Sequence, residues 1–230
     1  MKVVITQSNY IPWKGYFDSI SIADYFVVFD EMQYTRRDWR NRNKIKTING
    51  LQWLTVPVDV KGKFFQKINE TKIADKNWVE KHWKSLVHNY SKAPYFEDYK
   101  ILVNEWYREA FHCDTITDVN MVFLKGIGEF LGVKAKFLFS RDFNLVDDKT
   151  ERLVAICQEL NGTDYYTGSA AKAYMQEDFF KKQSINVHYF DYSGYPEYKQ
   201  LHGDFEHGVS ILDMIFNLGP DCKNYMKSIK

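Results

Sequence analysis

Short runs of β-branched and aromatic residues alternate with amphipathic stretches along the chain. KVVIT (2–6) predicts a buried strand, YFDSISIAD (16–24) a helix and YFVVFD (25–30) a second strand. Strand, helix and strand in this order form a βαβ unit, and such units build parallel sheets. The start of the chain therefore predicts a Rossmann-like α/β fold with a mostly parallel sheet.

The hydrophobic pattern then changes from strands to helices. Asn49-Gly50, between IKTING and LQWLTVPV, predicts a β-hairpin, and residues 61–75 follow as an irregular excursion. Helical spacing covers about 76–132, which predicts a largely helical insertion. The remaining predicted elements are helices at 95–111 and 115–131 within the insertion, strands at 135–140, 164–168 and 185–192, a helix start at SAAKAYM, and helices at 147–162 and 208–220.

Length and composition are those of an ordinary globular protein. The chain has 230 residues, of which 45% are hydrophobic and 27% charged, and we expect one α/β domain over residues 1–230. No apolar run approaches the roughly 18 residues of a membrane span, and no signal peptide is evident, so we expect a cytoplasmic protein. The three cysteines are far apart and no Cys or His pair has metal-ligand spacing, so no metal site is predicted.

The charge is concentrated in one place. The whole chain carries a net charge of +1, yet QYTRRDWRNRNKIK (33–46) has six Arg or Lys and one Asp, Asp38, among its last eleven residues. A solvated charge run is the usual meaning of such a stretch. Here Tyr34 and Trp39 interleave the arginines, a combination suited to stacking and phosphate binding. The predicted phosphate ligands are Arg37, Arg40, Arg42 and Lys44.

Two further loops leave the carboxyl ends of predicted strands, where α/β sheets bind ligands. TQSNYIPWKGYFD offers the polar groups of Gln7, Asn9 and Tyr10, although a Pro/Gly loop with a capping residue is the plainer interpretation. YYTGSAAKAYM, with Gly168 and Ser169 before a helix start and Lys172 within it, could surround an anion with backbone N–H groups. It lacks the spacing of a P-loop, and alone it is weak evidence.

Few side chains are candidates for acid–base chemistry. His82 lies on a helical face with Trp78 and Leu86, where a histidine is more often a core residue than a base. His202 and His207 have the wrong spacing for a helical metal pair. Asp213 is predicted to form a capping box with Ser210.

The motifs TQSNYIPWKGYFD, ADYFVVFDEMQYTRRDWRNRNKIKT, QWLTVPV, TERLVAICQELNGTDYYTGSAAKAYM and SILDMIFNLG together resemble the WbqC-like family over nearly the full chain. The family's usual QPNY appears here as QSNY, and its YLSG as YYTG. The resemblance implies a role in O-antigen or other surface-polysaccharide biosynthesis, and in one branch glycyl transfer onto a sugar. It carries over motif positions rather than roles: Gln7, Asn9, Tyr10, Gly15, Asp18, Asp30, Gln33, Arg37, Arg40, Arg42, Asn43, Lys44, His82, Gly168, Lys172 and Asp213.

Together these observations predict a transferase that acts on a nucleotide-linked or lipid-linked sugar by acyl or aminoacyl transfer, or alternatively an ATP-dependent amide ligase. The expected base is His82 or Asp30, and Arg40, Asn43 or Lys172 would stabilise the oxyanion. The predicted partner is a sugar nucleotide or another phosphate-bearing small molecule. The cofactor stays open, with ATP or an acyl thioester both compatible, and the high aromatic content leaves room for an oligomer.

Two alternatives remain at this stage. The first is a non-catalytic nucleotide-sugar binding module, and the second is an RNA-binding protein that uses the basic stretch. Nucleic acid is disfavoured because the rest of the chain cancels the charge of the stretch. The arrangement of the arginines discriminates: a concave pocket shared with the 7–18 loop favours a small anion, and a flat or convex face favours RNA.

Overall fold

The structure, a computed structural model, describes residues 1–229. Its centre is a five-stranded sheet whose neighbouring strands are all parallel, and a separate antiparallel hairpin forms a second sheet. The strands are β1 (Lys2–Thr6), β2 (Tyr25–Val28), β3 (Arg42–Thr47), β4 (Gly50–Thr55), β5 (Lys136–Phe139), β6 (Asp164–Gly168) and β7 (Asn186–Phe190). The predicted α/β class, the mostly parallel sheet and the hairpin are confirmed.

The strand order fixes where a ligand crevice lies. The order across the sheet is β5-β2-β1-β6-β7, so the direction of winding reverses between β1 and β6. Val4 of β1 pairs with Tyr166 of β6, which brings Gly168 level with Thr6 at the carboxyl edge. Open α/β sheets bind ligands outside this edge, at the point of reversal.

Helices cover both faces of the sheet. They are α1 (Lys14–Ile22), α2 (Trp78–Tyr90), α3 (Phe96–Ala110), α4 (Ile116–Leu131), α5 (Glu151–Glu159), α6 (Glu177–Lys182) and α7 (Ile211–Leu218). Because strand side chains alternate between faces, Phe26 and Val28 join one core with α1, α2, α3, α4 and α7, while Val27 joins a second core with α5 and α6. None of the helices in residues 1–229 has both the length and the hydropathy that a membrane crossing requires.

The predicted helical insertion is present as α2, α3 and α4. Thr115 begins α4 by accepting a hydrogen bond from the Asp118 backbone at 3.2 Å, and Gly132 ends it in the left-handed conformation at φ +73°. Pro94 lies between α2 and α3, as the sequence predicts.

Some predicted helices are shorter than their hydrophobic patterns. The helix predicted over 147–162 begins at Glu151, because Asp148 accepts the backbone N–H groups of Thr150 and Glu151 at 2.8 and 2.9 Å. The helix predicted over 208–220 begins at Ile211, since Ser210 is its cap. SAAKAYM forms a 3-10 helix at Ser169–Ala173 rather than the start of an α-helix.

Candidate functional site

Asp30 anchors the loop that follows β1. Its carboxylate accepts hydrogen bonds from the backbone N–H of Ser8 at 2.8 Å, from the Ser8 hydroxyl at 2.6 Å and from the Thr117 hydroxyl at 2.7 Å. Only 2% of Asp30 is exposed. The two carboxylate oxygens are therefore occupied by donors from β1's loop and from α4, and this geometry favours a structural role for Asp30 over the predicted role as a base.

Arg40 joins the predicted polar groups of the same loop. One terminal nitrogen donates to Asn9 Oδ1 and, at 3.5 Å, to the carbonyl of Ser8; the other donates to Gln7 Oε1 at 3.1 Å. Three of the five N–H donors of the guanidinium are thus engaged, and the Asp38 carboxylate lies 3.8 Å from its second terminal nitrogen. Gln7, Asn9 and Arg40 form the cluster that we call the arginine cluster.

The rest of the basic stretch does not converge on this cluster. Residues from Arg42 onward lie in β3, where alternate side chains point to opposite faces. Arg42 lies 4.0 Å and Lys44 5.2 Å from the ring of Trp53 on the outer face of the hairpin. Arg37 is exposed, and its carbonyl accepts a hydrogen bond from Arg42 at 2.7 Å. The stretch is thus divided: Arg40 faces the 7–18 loop, Arg42 and Lys44 are half-buried against Trp53, and Arg37 is exposed.

His82 and Tyr10 belong to the core. Tyr10 is fully buried, and its hydroxyl contacts His82 Nδ1 at 2.8 Å and the Tyr107 hydroxyl at 3.0 Å. Burial lowers the pKa of His82 to about 4, against a hydrogen bond to the Thr55 backbone that raises it. A neutral imidazole enclosed by aromatic rings does not favour the predicted role of His82 as a base.

The chain is strained where it leaves this loop. Ile11 is β-branched and buried, yet its φ is +36°, in the left-handed region that such residues avoid. The buried amide of Asn43 donates to the carbonyls of Ile11 and Tyr10 at 2.9 and 3.2 Å and holds this conformation. Strain of this kind clusters at ligand sites.

A pocket of about 290 Å³ opens beside the arginine cluster. Its wall consists of Asn9, Pro12, Trp13, Trp39, Asn43, His207 and Gly208. Gly15 lets the Trp13 indole lie against α1, because a Cβ there would come within 2.4 Å of the ring. We call this cavity the tryptophan pocket. It joins the 7–18 loop, the basic stretch and a distant part of the chain.

The distant wall comes from a strap, residues 191–209, that has no regular secondary structure. Buried lysines hold it in place: Lys14 donates to the Pro196 carbonyl at 2.9 Å, and Lys46 donates to Gln200 Oε1 at 2.7 Å. Burial lowers the pKa of Lys14 to about 8, while the nearby carboxylates of Asp18 and Glu197 oppose that shift. The strap thereby carries His207 and Gly208 to the pocket.

Asp213 also holds the strap, and the predicted capping box is wrong. Ser210 caps α7 by accepting from the Leu212 backbone, but the Asp213 side chain turns into the core. It accepts hydrogen bonds from the Tyr90, Tyr198 and Gln200 side chains at 2.9, 2.7 and 2.9 Å. Burial raises the pKa of Asp213, against the effect of these donors.

The N-terminus of α1 lies in the wall of the pocket, and the N-terminus of α7 is buried behind it. Trp13 is the cap residue of α1, and Ser210, two residues beyond Gly208, is the cap residue of α7. The Ile211 backbone N–H donates to the Pro12 carbonyl at 3.0 Å and ties the two ends together. Helix N-termini carry partial positive charge, so the start of α1 favours an anion in the pocket. The first N–H groups of α7 are already bonded, to the Pro12 carbonyl and the Ser210 hydroxyl, and are closed to a ligand.

Other predicted site residues lie outside the pocket wall. Asp18 accepts the backbone N–H groups of Lys227 and Ser228 at 2.9 Å each, and so fixes the C-terminal segment. Gly168 lies at the carboxyl edge beside β1, followed by the exposed Ser169. Lys172 is exposed, with its amine 5.0 Å from the Tyr189 ring.

The sequence reasoning missed part of the pocket. The sequence motif that contains Trp13 predicts no role for this residue, and the spacing of His207 from His202 excludes only a helical metal pair. Nothing in the local sequence marks Gly208 as a site residue. The available clue was the aromatic and histidine content of the strap, whose position depends on tertiary contacts.

The parallel sheet, and the pocket formed by the 7–18 loop, the basic stretch and the strap, define a Rossmann-type α/β protein with a small aromatic site flanked by cations. The chain belongs to the WbqC-like protein family, whose model matches residues 7–225. It is 48% identical to the uncharacterised protein Rv1507c of Mycobacterium tuberculosis over 226 residues, which cover 98% of this chain and 97% of that protein.

Proposed function

We propose that the chain is a transferase of surface-polysaccharide biosynthesis that binds a nucleotide-linked or lipid-linked sugar and adds an acyl or aminoacyl group to it. The observation that carries this proposal is the tryptophan pocket, with its two indoles, the N-terminus of α1 and the adjacent arginine cluster. The family resemblance described above agrees with a role in surface-polysaccharide assembly.

The pocket wall suits a sugar ring. The indoles of Trp13 and Trp39 offer flat apolar surfaces, which can stack on the C–H face of a pyranose. Asn9 Oδ1 is held by Arg40, and its Nδ2 has no hydrogen-bond partner within residues 1–229. That amide is oriented to donate to a sugar hydroxyl or to an acyl oxygen.

The charges around the pocket suit a phosphate. Arg40 places a guanidinium beside the pocket, with Asp38 3.8 Å from one of its nitrogens, and the positive end of α1 lies in the pocket wall. Arg42 and Lys44 lie further out, near Trp53, which contacts Trp39 at a ring distance of 5.4 Å. They would contribute long-range attraction more than direct contacts.

His207 is the base that this geometry supports. His207 lines the pocket and its ring packs on Phe205, whereas His82 and Asp30 are enclosed. In the proposed reaction a sugar amine attacks the acyl carbon of an adenylate, thioester or aminoacyl ester. The bond to the leaving group breaks, and the amine proton passes to His207. Arg40 and Asn9 are placed to stabilise the oxyanion.

Binding tests this proposal directly. We expect UDP- or dTDP-linked amino sugars to raise the melting temperature of the wild type in proportion to their concentration, and Trp39→Ala and Arg40→Ala to weaken binding about tenfold or more. Arg36→Ala is the matched control, since Arg36 is exposed and its guanidinium donates to the Val60 carbonyl. The assay is a thermal-shift titration at low salt, with ATP, acetyl-CoA and a short RNA in parallel.

The outcomes separate the candidate functions. No shift with any sugar nucleotide, together with a salt-sensitive shift with RNA, would reject the proposal. Binding that depends on Trp39 but gives no acylated product with any donor, even when His207 is intact, would leave a binding module. Product formation that is lost in His207→Gln while sugar binding persists would support the assigned base.

A further inference from the structure

Two adjacent phenylalanines protrude from the loop at 60–67. Phe65 is 83% exposed and Phe64 is 75% exposed, and their rings contact each other edge to face at 5.0 Å between centroids. A contiguous apolar surface of this kind is unfavourable in water and marks an interaction site.

The protein holds this loop in a defined shape. Gln33 donates from its side chain to the Phe64 carbonyl at 2.9 Å, and the Tyr34 backbone donates to Gln66 O at 2.9 Å. Gly62 takes a left-handed turn at φ +73°, and nothing lies within 4 Å of where its Cβ would be. The phenylalanines are therefore held on a fixed turn. The structure gives Gln33, a predicted site residue, a role in fixing this turn rather than in the tryptophan pocket.

Cations surround the apolar tip. Lys61, Lys63 and Lys67 are exposed within the loop, and the Arg36 guanidinium donates to the Val60 carbonyl at 3.1 Å. Two acids lie nearby: Asp59 pairs with Lys63 at 2.5 Å, and Glu70 accepts the Lys67 backbone N–H at 3.0 Å. Four positive groups against these two acids leave an excess of two positive charges, in a chain whose net charge is +1.

We propose that the loop at 60–67 is a peripheral anchor that docks this protein on a bilayer surface rich in anionic lipid. Phenylalanine rings enter the boundary between headgroups and acyl chains, while lysine stems extend along it and keep their amines among the phosphates. Protein–protein interfaces are depleted in lysine at their centres, so this composition favours lipid over a protein partner.

A short stretch of chain connects the anchor to the candidate site. The loop is bonded to the segment 33–36, which leads directly to Trp39 in the wall of the tryptophan pocket. Docking would bring the pocket close to the leaflet surface, where a lipid-linked substrate would present its sugar. The anchor itself rests on the loop alone and stands or falls independently of the proposed function.

Sedimentation with vesicles tests the anchor. We expect the full chain to bind vesicles of phosphatidylcholine mixed with phosphatidylglycerol and to bind pure phosphatidylcholine far more weakly. Phe64→Ser/Phe65→Ser should weaken partitioning about tenfold or more. Changing Lys61, Lys63 and Lys67 to Gln should weaken it about fivefold for each lysine lost, and added salt should act in the same direction.

Matched controls separate the loop from general surface properties. Ile101→Ser/Phe111→Ser removes two exposed apolar residues of α3 and its end, and changing Lys81, Lys84 and Lys92 to Gln removes three exposed lysines elsewhere. Both controls should partition like the wild type, and thermal melts should show that every variant folds.

The opposing results are equally clear. A wild type that fails to bind anionic vesicles, or a Phe64→Ser/Phe65→Ser variant that binds them normally, would overturn the proposal. If sedimentation velocity instead showed a wild-type oligomer that the same variant dissociates, without lipid binding, the loop would be a protein interface and the anchor would be rejected. None of these assays depends on a pocket ligand or on catalysis.

Discussion

Replacing Asp30 with alanine is expected to lower the free energy of unfolding by about 4 kcal/mol. Three donors, two from Ser8 and one from Thr117, would lose a charged acceptor in a site that is only 2% exposed. Donors left unsatisfied in such a site retain the full cost of their desolvation. Urea unfolding at neutral pH measures the loss.

Two further variants make this result specific. Asp24→Ala removes an exposed carboxylate that accepts one hydrogen bond, from the Lys2 backbone at 2.7 Å, and should cost less than about 1 kcal/mol. Asp30→Asn keeps the shape of the side chain but turns its N–H₂ group toward the donors. We expect its loss in the free energy of unfolding to lie between those of Asp24→Ala and Asp30→Ala. If Asp30→Ala instead unfolded like the wild type and lost only activity, Asp30 would be a base rather than an anchor.

The sheet could be predicted because its strands are buried on both faces. Such strands have continuous apolar runs, as in KVVIT and YFVVFD, and these runs identify β1 and β2 without knowledge of their partners. Thr115 and Gly132 likewise delimit α4 through local chemistry alone. The predicted helix boundaries that differ from the structure are those set by a specific side-chain hydrogen bond, as at Asp148 before α5.

The site was less predictable, because its parts meet only through tertiary contacts. Arg40 and Arg42 are two residues apart, yet one faces Gln7 and the other faces Trp53 since pairing of β3 with β4 begins at Arg42. No periodic pattern marks the strap at 191–209. Its course depends on Lys14, Lys46 and Asp213, whose partners are distant in sequence.

Burial of His82 has a consequence for pH dependence. The pKa of this imidazole is lowered from its ordinary 6.5 to about 4 in the folded protein, chiefly by burial. Below pH 6.5 the His82 imidazole becomes protonated in the unfolded chain, whereas in the folded chain it stays neutral until about pH 4. Stability should therefore be fully present above pH 6.5 and decline as the pH falls to about 4, by about 3 kcal/mol from this residue.

The difference between two variants isolates this effect from other acid-sensitive groups. His82→Gln lacks the titration, so its deficit relative to the wild type should be largest at pH 7 and shrink by about 3 kcal/mol toward pH 4. His88→Gln, at an exposed position of the same helix, is the matched control for replacing a histidine with glutamine. A constant difference between wild type and His82→Gln would mean that His82 titrates normally and is open to solvent. That result would return it to consideration as the base, in competition with His207.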